Sequence, residues 1–114
     1  MAKWKNFNTW LALLAKSPDA QSFPVLAGKV WLGLRTLSIA LEQSPSTRWG
    51  QNVGLHAPAA AQWLRIAENE LARVCAEGGE KYPAGDLWKD KGGNDVCDSA
   101  RLQFWRARLR ELGV

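Results

Sequence analysis

Among its 114 residues the chain has one histidine, one tyrosine, one methionine and two cysteines. A nucleophilic site needs a histidine oriented by a carboxylate and touching a serine or cysteine. His56, between Leu55 and Ala57-Pro58, has no such local signature around it. Its expected role is packing near the start of a helix. Cys75 and Cys97 are too far apart for a short metal motif, and there is no second pair. Two free, buried thiols in a reducing compartment are expected, with a single disulfide as the alternative. Asp86, Asp90, Asp95 and Asp98 lack the alternate spacing and closing glutamate of a calcium loop, and Lys89 and Lys91 interleave with them. No metal and no cofactor is expected.

Long apolar runs are also missing. The run from Trp10 to Ala15 is shorter than the ~7–15 residues of a signal-peptide core, and Lys16 ends it. Lys29 and Arg35 interrupt the best candidate for the ~18 apolar residues that cross a bilayer. No Asn-x-Ser/Thr acceptor occurs. A soluble, intracellular and cytoplasmic protein without membrane contact is the expectation.

No run of five like charges exists either. The net charge of +4 falls on the first sixty residues, where Lys3, Lys5, Lys16, Lys29, Arg35 and Arg48 face only Asp19 and Glu42. Nucleic-acid binders cluster their cations, because affinity follows the number of phosphates neutralised. A basic surplus this thinly spread disfavours that role.

What is present is an ordinary globular balance, 46% hydrophobic and 23% charged residues, which excludes disordered and collagen-like classes. The length suits one domain, residues 1–114, burying about two-thirds of its unfolded surface. Apolar residues recur at helical spacing in four segments, with no convincing strand alternation. The first spans about Lys3 to Lys16, with Trp4, Phe7, Leu11 and Leu14 inward, and Ser17-Pro18 ends it. The second begins near Pro24 and carries Ala27, Val30, Leu34, Leu37 and Leu41, widened by Leu26, Trp31 and Ile39. Gly28 and Gly33 within it suit close helix packing. The third runs from Pro58 to about Glu77, with Ala60, Trp63, Leu64, Ala67, Leu71 and Val74 inward and Gly78-Gly79 as its cap. The fourth is capped by Asp98 or Ser99 and buries Leu102, Trp105, Leu109 and Leu112. Residues 45–57 and about 80–97 read as loops, the second too long to be idle. The expected fold is all-α, a compact bundle of about four helices with a long loop before the last.

Seven tryptophans need an explanation. Trp4, Trp31, Trp63 and Trp105 sit on or beside core stripes. Trp49 and Trp88 sit in loops, where an aromatic either pins the loop or meets a ligand or partner. Arg101, Trp105 and Arg108 share one helix face. That face is either an anion- or partner-gripping patch, or guanidinium groups stacked on an indole.

Three stretches, Ala59-Ala60-Ala61-Gln62-Trp63-Leu64-Arg65-Ile66-Ala67, Gly85-Asp86-Leu87-Trp88-Lys89-Asp90-Lys91-Gly92 and Arg101-Leu102-Gln103-Phe104-Trp105-Arg106-Ala107-Arg108, carry a resemblance. Their order and spacing are similar to the C-terminal half of a helical family of unknown function from filamentous ascomycete fungi. That pattern has an alanine-rich helix with a central tryptophan, a Gly-x-Leu-Trp-Lys loop and an Arg-x-x-x-Trp-x-x-Arg helix. Leu102 departs from it, standing where a second aromatic is expected. The resemblance implies a fungal intracellular setting, a helical fold, and a short member or fragment with part of a bundle face uncovered.

Two functional expectations follow. One is a non-enzymatic helical module acting through a protein partner or self-association. The other is a small-molecule-binding or accessory protein of a fungal secondary-metabolite pathway, with a cleft under the Trp49 and Trp88 loops and His56 or Arg108 as its polar group. The candidate binding residues are Trp49, His56, Trp88, Arg101, Trp105 and Arg108; none is assigned a catalytic role.

Overall fold

A computed structural model describes residues 2–16, 29–77 and 80–113, with backbone alone at Ala2, Lys29 and Val30. Its helices are α1 (Ala2–Lys16), α2 (Lys29–Leu41), α3 (Val53–Ile66), α4 (Glu68–Glu77), α5 (Asp86–Asp90) and α6 (Ser99–Leu112), with a short 3-10 turn at Gly50–Asn52. Among the described residues there is no strand, only an isolated antiparallel bridge between Lys81 and Val96. The expected boundaries at Ser17-Pro18, Pro24 and Gly78-Gly79, and the roles given to Leu26, Ala27, Gly28 and the Val30 side chain, lie outside the described residues.

The helices α1, α2 and α3 pack on one another, and α6 closes against α2, α3 and α4. Leu34, Leu37, Leu41 and Leu71 are wholly buried between them, each contributing about 1.5–3 kcal/mol. The indole of Trp63 fills the space between α1 and α2. Gly33 makes this possible, since a Cβ there would lie 2.6 Å from the Trp63 ring. The Trp63 N–H donates to Asn8 Oδ1 at 2.8 Å, and the same oxygen accepts from the Thr36 hydroxyl at 2.8 Å. One buried amide thereby ties three helices.

Two inward assignments and two helix boundaries differ from the pattern. On α1 the inward residues are Asn8, Leu11, Ala12 and Ala15, while Phe7 is 46% exposed. Buried Asn8 turns the helix away from its purely apolar stripe. Trp31, also expected inward, is 42% exposed and meets Tyr82 edge-on. The third segment is two helices joined at buried Ala67, whose backbone leaves the helical region at φ −116°, ψ 30°. The apolar stripe crosses this joint unbroken, so periodicity does not reveal it. α3 also starts at Val53, and Pro58 lies inside it. Proline removes only one N–H there, and the preceding turn continues from Gly50–Asn52.

The 80–98 segment is held by a buried ion pair. Glu42 and Arg101 are both fully buried, with Arg101 Nε 2.6 Å from Glu42 Oε2 and Nη2 2.8 Å from Oε1. The remaining guanidinium N–H groups donate to the carbonyls of Tyr82, Asp95 and Pro83. Glu42 further accepts from the Ser38 hydroxyl, the Gly85 N–H and the Trp105 indole. Gly85 is a glycine because a Cβ there would collide with Glu42. At the other end of the segment, Asp98 caps α6 by accepting from the Arg101 N–H at 2.8 Å.

Cys75 and Cys97 form a disulfide, with Cα atoms 4.9 Å apart, so the expectation of two free thiols is corrected. The physical reason is proximity. The Cys97 N–H bonds the Glu80 carbonyl at 2.9 Å, which brings the segment back beside the end of α4.

Two outcomes follow for stability. Removing one partner of a buried pair strands a charge, so Glu42→Ala and Arg101→Ala each lower the urea-unfolding free energy by about 3–5 kcal/mol. The joint replacement Glu42→Met with Arg101→Met costs less than the sum. Thiol titration of the native, unreduced chain finds no free thiol at Cys75 or Cys97, and reduction lowers stability by about 3 kcal/mol.

Candidate functional site

A cavity of about 310 Å³ opens between the first turn of α1, the middle of α2 and the start of α3. Its lining residues are Trp4, Arg35, Ile39, Trp49, Leu55 and His56. Arg35 and Ile39 share one α2 face at i,i+4 spacing. Trp49 is carried in by the turn after α2, which is anchored when the Ser44 N–H and hydroxyl both donate to the Asp86 carboxylate of α5. Leu55 and His56 arrive on the first turn of α3.

His56 lies between two indoles. Its ring meets Trp4 edge-on with centroids 6.0 Å apart, and Trp49 likewise at 5.8 Å. Burial lowers its pKa from the ordinary value of 6.5, because charging an imidazole in an apolar surround is costly. It is therefore mostly neutral at pH 7. The guanidinium of Arg48 lies 5.6 Å over the Trp49 ring, adding positive charge near Arg35.

Hydrogen bonding sets this cavity apart. The indole N–H groups of Trp63, Trp105 and Trp88 all have partners, respectively Asn8, Glu42 and the Asn94 carbonyl. Trp4 Nε1 and His56 Nδ1 are buried and have none. Burying a polar group without a partner costs about 1–3 kcal/mol; both nitrogens are sealed within the packed wall, on residues whose apolar parts line the cavity.

The six expected binding residues divide between two regions. Trp49 and His56 meet at this cavity. Trp88 meets Phe104 in a tilted contact with centroids 5.1 Å apart and is not among the residues lining the cavity that holds Trp49. Trp105 and Arg101 are fully buried, with the Arg101 guanidinium 5.4 Å over the Trp105 ring. Arg108 lines a separate cavity with Leu87, Asp90, Lys91, Phe104 and Glu111. Its guanidinium there bonds Glu111 and the Leu41 carbonyl.

Sequence reasoning missed Trp4, Arg35, Ile39 and Leu55 as site residues. For Trp4 the placement on an apolar stripe pointed to the core, and no local signal marked its N–H as lacking a partner. Among the described residues no group of three or more His, Cys, Asp or Glu is placed to hold a metal ion. Nor is any described helix long and apolar enough to cross a membrane.

Residues 1–109 match the family described as protein of unknown function DUF3632. The chain belongs to that family. No match was found among curated proteins or solved structures.

The neutral histidine gives a pH signature. A pKa below that of the unfolded chain means the unfolded state binds the extra proton first as pH falls. The contribution is full above the unfolded-state value of 6.5 and declines as pH falls through it toward the lowered folded-state value. Thermal unfolding across that window shows the decline, and His56→Phe flattens it.

Proposed function

We propose that this chain is a non-catalytic, small-molecule-binding protein whose ligand occupies the cavity between α1, α2 and α3. The observation that carries the reading is the cavity of about 310 Å³ itself, walled almost wholly by apolar surface of Trp4, Ile39, Trp49, Leu55 and His56. Ligand sites are concave and mostly apolar, and the rings of Trp4, Trp49 and His56 give this one aromatic surface suited to a planar ligand. Binding is favoured over hydrolysis because the histidine is flanked by two indoles, and among the described residues no carboxylate, serine or cysteine lines the cavity with it. An accessory role in a fungal biosynthetic pathway fits this reading and rests on the family resemblance.

A second reading has its own support. Phe7, Trp10 and Leu13 on α1 are 46%, 54% and 54% exposed, and Trp4, Phe7 and Trp10 follow one another with ring centroids 6.1 and 6.2 Å apart. Exposed aromatics of this kind suit a protein partner or a second copy of the chain. The side of α6 with Arg101, Trp105 and Arg108 supports association less, since Arg101 and Trp105 are fully buried and all three side chains are bonded within the chain.

Native mass spectrometry of the chain isolated from its own host separates the two readings. Small-molecule binding gives a non-covalent increment of a few hundred daltons or less, on the order of a ligand that fits such a pocket. Leu55→Trp, which fills the cavity from a half-exposed position, abolishes that increment. A dimer or a protein increment that survives Leu55→Trp and is lost in Trp10→Ser supports the second reading instead.

A further inference from the structure

We propose that the outward face of α1 docks on an anionic lipid surface, seating Phe7, Trp10 and Leu13 among the headgroups with lysines around them. This surface is separate from the cavity and stands or falls without the small-molecule reading above. The expectation of no membrane contact came from the missing span, and a helix lying flat needs none.

A helix packed on one side ordinarily turns polar residues to solvent on the other. α1 carries apolar residues on both. Leu11, Ala12 and Ala15 are buried against its neighbours, while Phe7, Trp10 and Leu13, at three-residue spacing, stand outward. Half-buried Leu14, four residues after Trp10, adds to the outward row. The Phe7 ring continues it toward Trp4, at 6.1 Å between centroids. These side chains crown a convex helix, so they suit a soft, flat partner rather than an inserted one. At 15 residues the helix is about 22 Å long, too short to cross the ~30 Å hydrocarbon core but able to lie in its surface.

Charge decides the occupant. α1 contains Lys3, Lys5 and Lys16 and no acidic residue, and all three lysines are exposed. Helical spacing puts Lys3 on the side of Phe7 and Trp10, and Lys5 and Lys16 on the flank beyond Leu13. Arg35 and Arg48 are exposed as well. Among the described residues of the first sixty, the one carboxylate is Glu42, buried and held by Arg101. The exposed charge of that half is therefore positive. Two copies meeting through α1 would bring three lysines against three, which repels. Anionic headgroups attract them instead. Aromatic and leucine side chains bordered by lysines are the composition of an interfacial helix, and an indole suits the boundary by its apolar ring and polar N–H.

Co-sedimentation of the full chain tests this, with vesicles of phosphatidylcholine alone and of phosphatidylcholine containing one-third phosphatidylserine. The chain is expected on the mixed vesicles and not on the neutral ones. Raising salt from about 0.05 to about 0.5 M releases it. Lys3→Gln and Lys5→Gln, at exposed positions outside the core, each weaken binding about fivefold. Trp10→Ser weakens it by at least about tenfold, whereas Trp10→Phe, which keeps the apolar face, binds as before. Bromine-labelled acyl chains quench tryptophan emission of the bound chain, and Trp10→Phe removes most of that quenching. Equal binding to the two vesicles, or none to either, overturns the proposal. So does a dimer or protein complex in native mass spectrometry that Trp10→Ser dissolves while the chain ignores vesicles, since the face then belongs to a protein. The small-molecule increment, lost in Leu55→Trp, reports separately on the cavity.

Discussion

The buried pair of Glu42 and Arg101 is the constraint around which the C-terminal half is arranged. Two charges withdrawn from water carry a desolvation penalty of several kcal/mol each. The fold offsets it by completeness. Five donors reach the carboxylate of Glu42, and each of the five guanidinium N–H groups of Arg101 finds an oxygen. Meeting that demand dictates where several other parts lie. The Tyr82, Pro83 and Asp95 carbonyls must turn inward, Gly85 must carry no side chain, and the indole of Trp105 must reach across from α6. A hydrophobic pair would fill the volume without imposing any of these directions.

The same arrangement bears on the cavity. Ser38 on α2 and Glu42, the residue after its end, face the ion pair, while Arg35 and Ile39 of α2 line the cavity. The ion pair fixes the helix from its inner side, so the wall it presents to the cavity is set before a ligand arrives. Asp86 plays a parallel role. Its carboxylate grips Ser44, and the Ser44 hydroxyl bond holds its pKa below the ordinary carboxylate value, so the anchor is charged at neutral pH. The turn bearing Trp49 is thereby fastened to α5. Preorganisation of this kind reduces the ordering cost of binding.

Periodicity made much of the helical architecture legible. The stripe of Leu34, Leu37 and Leu41, that of Ala60, Trp63 and Leu64, and that of Leu102, Trp105 and Leu109 all face the core as their spacing requires. The Asp98 cap was equally readable, because its chemistry is local. Less legible were features that depend on contacts distant in the chain. Asn8 is polar in the sequence yet lies fully buried, because its partners Thr36 and Trp63 come from other helices. Taking Phe7 as inward followed from ignoring that possibility. Nothing local in the sequence marks Glu42 as a core residue, and Arg101, fifty-nine positions away, makes it one. The cavity shows the same division. His56 and Trp49 stood out by rarity and by loop placement, whereas Trp4 differs from the buried Trp63 and Trp105 by a missing partner, a property of the assembled fold.

The Cys75–Cys97 bond gives the chain a closed covalent ring. Its perimeter takes in the end of α4, all of α5 and the exposed turn around Lys91 and Gly92. A single backbone cut anywhere on that perimeter would open the ring without dividing the molecule. The two pieces would remain one covalent body, and α6 would keep its place beside α4 through sulfur rather than through peptide. Damage to the most accessible loop of this half is thereby separated from loss of the helix that follows it.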